Sequence, residues 1–267
     1  MKYLVKTNDI STLAKADYNR IVYDATTGIV YCKGINAYDY VDLGLPSNLK
    51  WAKCNIGANS EEEAGLYFQY GDTQGYTAEK VGNGEGLKPF DWGDYKFSID
   101  GSSSNFSKYN ASDSKTVLDP EDDAAHVNMG GNWRMPTFEE YKELYLNTDI
   151  YLVPTEGEEI QGTAQEQSGS VIINWASQTE RTLKGIKFYK KGDKQTYMIV
   201  PASGIAGEGS VQNVGLFGVL RSSSLDSSSL ESSFVQFAWF LYFGANYGYV
   251  GSDGRYFGLP VRGVLAQ

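Results

Sequence analysis

Few residues in this chain have the types and spacing that chemistry needs. His126 is the only histidine, so a Ser/His/Asp or Cys/His catalytic arrangement has one place to form. It stands in Asp122-Asp-Ala-Ala-His126, where a short helix is expected, and a structural role suits it better than a catalytic one. The acidic runs Glu61-Glu-Glu63 and Glu121-Asp-Asp123 offer carboxylate oxygens of the kind a hard cation takes. Neither has the spacing of a calcium loop, and both read as solvated helix ends. Gly82-Asn-Gly-Glu-Gly86 lacks the lysine and the strand-then-helix context of a phosphate-binding loop, so it reads as turns. Cys32 and Cys54 cannot complete a zinc site by themselves. Both are expected to be buried thiols, with a single disulfide between them left open. The reading is therefore of no catalytic residue, no metal and no cofactor.

The C-terminal fifth has a different character. From Ser233 to Arg262 the aromatic residues are Phe234, Phe237, Trp239, Phe240, Tyr242, Phe243, Tyr247, Tyr249, Tyr256 and Phe257, while only Asp253, Arg255 and Arg262 are charged. Tyr and Phe give large contact area at low entropic cost, and the interspersed Ser, Gly and Asn add adaptable hydrogen bonding. This is the composition of a recognition surface, the alternative being an aromatic-rich β-core. Strand alternation through Phe234–Phe243 puts Ala238, Phe240 and Tyr242 on one face and Phe237, Trp239, Leu241 and Phe243 on the other. The second set, with the Trp and the Leu, is the expected core.

The elements that would position this stretch can be read in outline. With 267 residues, 41% hydrophobic and 21% charged, the chain is long enough for one large domain and a small appendage. The net charge of −10 disfavours nucleic acid or an anionic membrane as partner, and nothing basic appears clustered. The N-terminus, Met1-Lys-Tyr-Leu-Val-Lys-Thr-Asn-Asp-Ile10, has no apolar signal core, and no stretch has the length of a membrane span, so synthesis in the cytosol is expected.

Residues 1–40 form a small β-rich element, with Ser11–Arg20 a short helix or loop and with Ile21–Asp24 and Ile29–Cys32 a hairpin around Gly28. It is too small to bury much surface alone, so it must pack on the rest of the chain or on copies of itself. The main domain, 41–267, opens with Tyr40–Pro46 and a strand over Leu49–Cys54. Gly71–Lys115 reads as long loops. Asp119 before Pro120 is a helix-start signal, and Thr137-Phe-Glu-Glu140 is a capping box opening a helix over Phe138–Asn147, with Phe138, Tyr141, Leu144 and Tyr145 on one face. Strands follow over Val171–Trp175, Gly185–Tyr189 and Thr196–Pro201. The fold class is α+β with little helix.

Asn132-Trp-Arg-Met-Pro-Thr137 with its helix resembles the W-R-(L/M)-P-T signature of C-type-lectin-fold proteins of the formylglycine-generating-enzyme branch. Val41-Asp-Leu-Gly-Leu-Pro46 with Leu49-Lys-Trp-Ala52, Asp119–Ala125, Ile199-Val-Pro-Ala202 with Gly204, Ser222-Ser-Ser224 and Tyr256–Arg262 extend the likeness over residues 40–265. Together they look like variable proteins of diversity-generating retroelements, of the type found in gut Bacteroides and their phages. The resemblance implies a C-type lectin fold with long loops and few helices, and a ligand-binding display protein whose variable region, about 219–262, is rewritten at AAC or AAT codons. Such rewriting cannot produce Trp, Gln, Lys, Met or Glu, so Glu231, Gln236 and Trp239 are expected to be fixed scaffold.

The ligand-binding candidates are Leu220, Phe240, Tyr242, Asn246, Tyr247, Tyr249, Ser252, Asp253, Tyr256 and Phe257. Leu220-Arg221 stands where the family often has Tyr-Trp, leaving Arg221 either a contact or a scaffold residue. Pro260-Val-Arg262 replaces the usual Ser-Val-Arg. No cysteine follows Cys54, so the branch's oxidase activity does not carry over, and the calcium-binding EPN and QPD motifs are absent. With no export signal at the N-terminus, the expected form of such a display protein is a virion (tail) component that recognises a bacterial surface protein or glycan. Residues 1–40 would give attachment to a tail fibre or a homotrimer. The alternatives are a bacterial surface adhesin and, more remotely, a glycan- or peptide-acting enzyme.

Overall fold

Apolar residues at every second position dominate the chain after Thr148, and the computed structural model accordingly shows a mostly β protein with few helices. It describes residues 3–4, 18–24, 29–34, 39–178, 181–226 and 236–265. β1 (Tyr3–Leu4), β2 (Tyr18–Asp24) and β3 (Ile29–Gly34) form an antiparallel sheet in the order β1-β3-β2. β2 and β3 are the expected hairpin strands, although β2 also takes in Tyr18–Arg20. Residues 11–17 and the turn at 25–28 lie outside the described residues.

β4 (Tyr40–Val41), β5 (Lys50–Ala52) and β6 (Tyr67–Phe68) are followed by a long stretch with little regular structure up to Leu118. α1 (Ala124–Met129), β7 (Trp133–Arg134) and α2 (Phe138–Asn147) come next. Then the strands crowd together: β8 (Thr148–Pro154), β9 (Ile160–Gln167), β10 (Ser170–Trp175), β11 (Leu183–Lys190), β12 (Asp193–Pro201), β13 (Ile205–Gly207), β14 (Ser210–Gln212), β15 (Phe217–Leu225), β16 (Phe237–Gly244), β17 (Tyr247–Gly254), β18 (Leu259–Pro260) and β19 (Val264–Leu265).

Eight of these make one antiparallel sheet in the order β12-β11-β8-β9-β10-β17-β16-β15. It curls, because the chain entering β15 meets the chain leaving β12: Gly215 N donates to Ala202 O (2.8 Å) and Gly204 N to Phe217 O (2.9 Å). The inner face carries Ile150, Leu152, Val171, Ile173, Ile186, Phe188, Met198, Val200, Leu220, Leu241 and Phe243, packed with Trp51 and with Tyr141, Leu144 and Tyr145 of α2. Removing this apolar area from water is the main source of stability.

α2 begins where the capping box predicts. Thr137 Oγ1 accepts from Glu140 N (3.4 Å), Glu140 Oε2 accepts from Thr137 N (2.8 Å), and Glu140 also grips Arg134 through both guanidinium nitrogens. Before α1, a single turn of 3-10 helix over Pro120–Asp122 begins at the expected Asp119-Pro120 signal. Asp119 makes no cap bond, because its carboxylate goes to Lys108 and Lys115, and Asp123 caps α1 by accepting from Ala125 N and His126 N. Cys54 is half-buried in the bend after β5 rather than in a strand interior. A second sheet, β4-β5-β19-β7, ties residues 40–52, 133–134 and 264–265 together. Among the described residues no helix is long and apolar enough to cross a membrane.

Candidate ligand-binding face

Residues directly opposite one another on antiparallel strands share a face. Tyr242 on β16 stands opposite Tyr249 on β17 and Val219 on β15, Tyr249 stands opposite Ile172 on β10, and Tyr247 stands opposite Asn174. All of them therefore lie on the outer face of the sheet, away from α2. The three tyrosine rings form a fan with centroids 4.8–5.8 Å apart and mutual tilts of 32–33°. Phe217 extends the fan from Tyr242 (5.3 Å) and Phe240 stands edge-on to Tyr249 (5.9 Å).

The fan is layered. Phe240, with Val219 and Leu259, is its buried floor. Phe217, Tyr242, Tyr249 and Phe257 are half-buried above that floor, while Asn246 and Tyr247 project from the β16–β17 turn and Tyr247 is 49% exposed. Burial pushes the Tyr249 hydroxyl up to about 12, with Tyr242, Tyr247 and Asp253 adding to the effect, and it raises Tyr242 in the same direction. Both hydroxyls thus stay protonated at neutral pH, able to donate and to accept. Ser252 is half-buried and donates to Asp226 Oδ2 (2.6 Å), and Asp253 is exposed.

The structure thus gathers Tyr242, Asn246, Tyr247, Tyr249, Asp253, Tyr256 and Phe257 on the accessible side or its margin. Three candidates are corrected. Ser252 stands opposite Trp239, whose ring packs on Phe138 of α2, so strand alternation puts it on the inner side of the sheet, away from the tyrosines. Leu220 is opposite Leu241, fully buried and part of the main core, so it faces away from any partner. Phe240 is on the expected face, but β18 and β15 cover that face at this end, and only 5% of the residue is exposed. Of the expected scaffold residues, Trp239 is half-buried with its ring 4.0 Å from Phe138 of α2, and Gln236 holds Arg255 N through its carbonyl. Glu231 lies outside the described residues.

Arg221 proves to be scaffold. It is fully buried, and Nη2 donates to Phe257 O (2.7 Å) and Gly254 O (3.3 Å), fixing the backbone under the aromatic strip. Burial lowers its pKa to about 10, with Asp253 opposing that shift. Arg255 and Arg262 are buried as well. Arg255 donates to Tyr95 Oη (2.8 Å), Tyr109 O (3.0 Å) and Lys108 O (3.0 Å), and its guanidinium lies 4.4 Å from the Phe106 ring. It nails the loops of Gly71–Lys115 against β17 and makes them a wall of the face. That wall contributes Trp92, whose ring is 4.8 Å from Tyr256. Neither Trp92 nor Phe217 is among the expected contacts: Trp92 lies in an irregular loop with no alternation to assign it a side, and Phe217 opens β15 just ahead of the stretch 219–262.

The other candidates for chemistry are placed too. His126 sits on α1 with Nδ1 3.3 Å from Trp133 O. Asp119, Glu121 and Asp122 do converge, within 4.8 Å, but Lys108 bonds all three (2.6, 3.1 and 2.5 Å) and Lys96 adds a second ammonium on Asp122. Buried Asp122 is thus the centre of an ion-pair network rather than a solvated helix end. Burial alone would raise its pKa, and the bonds from Lys108, Lys96 and Tyr109 outweigh that and hold it below the usual carboxylate range. The lysines also prove to be clustered: Lys184, Lys187, Lys190, Lys191 and Lys194 all fall in the β11–β12 hairpin. There Lys187 pairs with Glu159 (2.6 Å) and Lys194 lies 4.1 Å over the Tyr151 ring. No family model, curated protein or solved structure matches the chain.

Proposed function

We propose that this chain is a ligand-binding display protein of C-type lectin fold, whose outer sheet face at β16–β17 recognises a molecule on a bacterial surface. The observation that carries the reading is the fan of Tyr242, Tyr247 and Tyr249. Large amphipathic rings with protonated hydroxyls stand half-exposed, edged by Asn246 and Asp253, above a floor that fixes their position. Rigid aromatic anchors beside adaptable polar groups supply most of the energy in recognition surfaces. The work of the face is binding without catalysis, and the residues below it are scaffold.

The segments that carry the resemblance to retroelement variable proteins also meet in space, which supports the finer reading. Ser222 Oγ, Ser223 Oγ and Ser223 N all donate to Pro136 O, and Phe138 N donates to Ser224 Oγ. In this reading the protein is a virion tail component, residues 1–40 attach or trimerise it, and repetition of the face turns weak contacts into avidity.

Sequencing the 3′ end of the gene across its source population tests the proposal. Substitutions should concentrate in the codons for Tyr242, Asn246, Tyr247, Tyr249, Asp253, Tyr256 and Phe257. Those for Leu220, Arg221, Trp239, Phe240, Arg255 and Arg262 should be spared. An invariant 3′ end, or variation spread evenly over buried and exposed codons, overturns it.

A further inference from the structure

The aromatic strip continues past β17 into a second, differently charged region. Tyr256 and Phe257 stack at 4.1 Å, and Trp92 stands on the other side of Tyr256, braced by Tyr95 (5.7 Å) and Phe106 (5.6 Å). Trp92, Tyr256 and Phe257 are all half-buried, so each keeps a solvent-facing part. The β13–β14 turn closes the far side. Glu208 N donates to Phe90 O (3.2 Å) and Gly209 N to Pro89 O (2.7 Å), and a Cβ on Gly207 would lie 2.8 Å from the Phe257 ring.

These backbone bonds set Glu208 beside Asp91. Asp253 lies one residue from Gly254, where a Cβ would lie 2.6 Å from the Tyr256 ring. Three carboxylates thus rim three rings, with Glu208 and Asp253 exposed and Asp91 half-buried. Their fields reach the Tyr256 hydroxyl, whose pKa is raised by burial first and then by Glu208, Asp253 and Asp91. Two buried guanidinium groups lie beneath the rings, Arg221 on Gly254 O and Phe257 O and Arg255 on Tyr95 Oη and the carbonyls of Lys108 and Tyr109, against three carboxylates, and Lys88 is held by Asp72 and Asp94. The rim is left with a net negative charge in a chain whose total is −10.

We propose that this cup is a subsite for a cationic side chain on a basic segment of a partner protein. The chemistry divides by depth. The ring faces take the apolar stem of a lysine or arginine and attract its charge, and the carboxylates at the rim meet the ammonium or guanidinium at its end. An amino sugar carries its charge directly on the ring and cannot span floor and rim in the same way. The inference rests on the reading of the outer face as a ligand-binding surface and deepens it.

The test uses the full chain and a fluorescein-labelled octapeptide of alternating Lys and Gly, its fully acetylated twin, and a glucosamine tetramer, read by fluorescence anisotropy. At about 0.15 M salt, Glu208→Gln/Asp253→Asn should weaken binding of the lysine peptide about tenfold. Glu156→Gln/Glu158→Gln, which removes the same charge from an exposed loop, should weaken it less than about twofold. Both replaced rim residues are exposed, and Asn keeps the acceptor that Gly254 N uses, so folding is not at stake. Equal losses in the two pairs, equal affinity for the acetylated twin, tighter rim-dependent binding of the glucosamine tetramer, or no saturable binding by the parent chain overturns the proposal. Tyr247→Ala, tested against a partner recovered by screening, separates the two readings. If it abolishes binding while the rim variants do nothing, the surface stands and the subsite falls, and if it has no effect the reading of the surface itself fails.

Discussion

Alanine replacement along the aromatic strip should produce a graded loss of stability that follows depth rather than residue size. A fully buried aromatic side chain removes about 150–250 Å² from water. Tyr247, 49% exposed, therefore hides about 100 Å², a ceiling of about 2.5 kcal/mol at about 25 cal/mol per Å². The unfolded chain already shields some of that area, which brings the expected cost of Tyr247→Ala to about 1.5–2 kcal/mol. Phe240, 5% exposed, leaves a cavity between Val219 and Leu259, and Phe240→Ala should cost about 3–5 kcal/mol. Tyr249→Ala falls between them, since it loses the Phe240 and Tyr242 contacts but empties a half-open site. Urea unfolding followed by tryptophan fluorescence gives the three midpoints, and an unchanged slope shows that only stability has moved. Partner binding should fall in the opposite order, most for Tyr247. If Tyr247→Ala costs as much stability as Phe240→Ala, the strip is a continuous core and the layered description is wrong.

Three further outcomes follow from the same geometry. Gly251→Ala would place a Cβ 2.4 Å from the Tyr249 ring, so the ring must swing aside; binding should weaken severalfold with little change in the urea midpoint. Thr137→Ala should destabilise by about 1 kcal/mol in thermal or urea unfolding, since it removes one half of the capping box on α2. The depressed pKa of Asp122 makes its network stabilising above the ordinary carboxylate pKa of 3.8, with that contribution lost as pH falls through the lower folded value. Asp122→Asn should therefore lower stability at neutral pH and flatten its decline below about pH 4, measured as midpoint against pH.

What could be read from sequence was local. The capping box and the i, i+3, i+4 spacing of α2 lie within a dozen residues, and the alternation of β10, β11 and β12 needs no partner to be recognised. What was misread or left unread concerns positions settled by distant chain. Arg221, Arg255 and Arg262 are residue types that ordinarily face water, and they are buried because carbonyls and hydroxyls from Tyr95, Lys108, Tyr109, Ile199 and Phe257 come to them. Phe240 shares its face with Tyr242, but alternation cannot foresee that Leu259 returns to cover one end of it. Leu220 is settled by the register that sets it opposite Leu241. Asp119 stands at the N-cap position of Pro120–Asp122 as its sequence suggests, but Lys108 and Lys115, brought there by an irregular loop, take its carboxylate.

β19 follows the aromatic hairpin in the chain, yet it pairs with β5 on one side and β7 on the other. Its Val264 stands opposite both Trp51 and Arg134, so strands made early and midway in synthesis are joined only by a segment made after β15, β16 and β17. A copy truncated by a stop codon or shifted in frame within the face would never deliver β19, and the central rung of that small sheet would be missing. Without that rung β5 and β7 have no strand between them, and such a copy is expected to open more easily there. The fold thus closes only once the chain has been read through β15, β16 and β17 to β19.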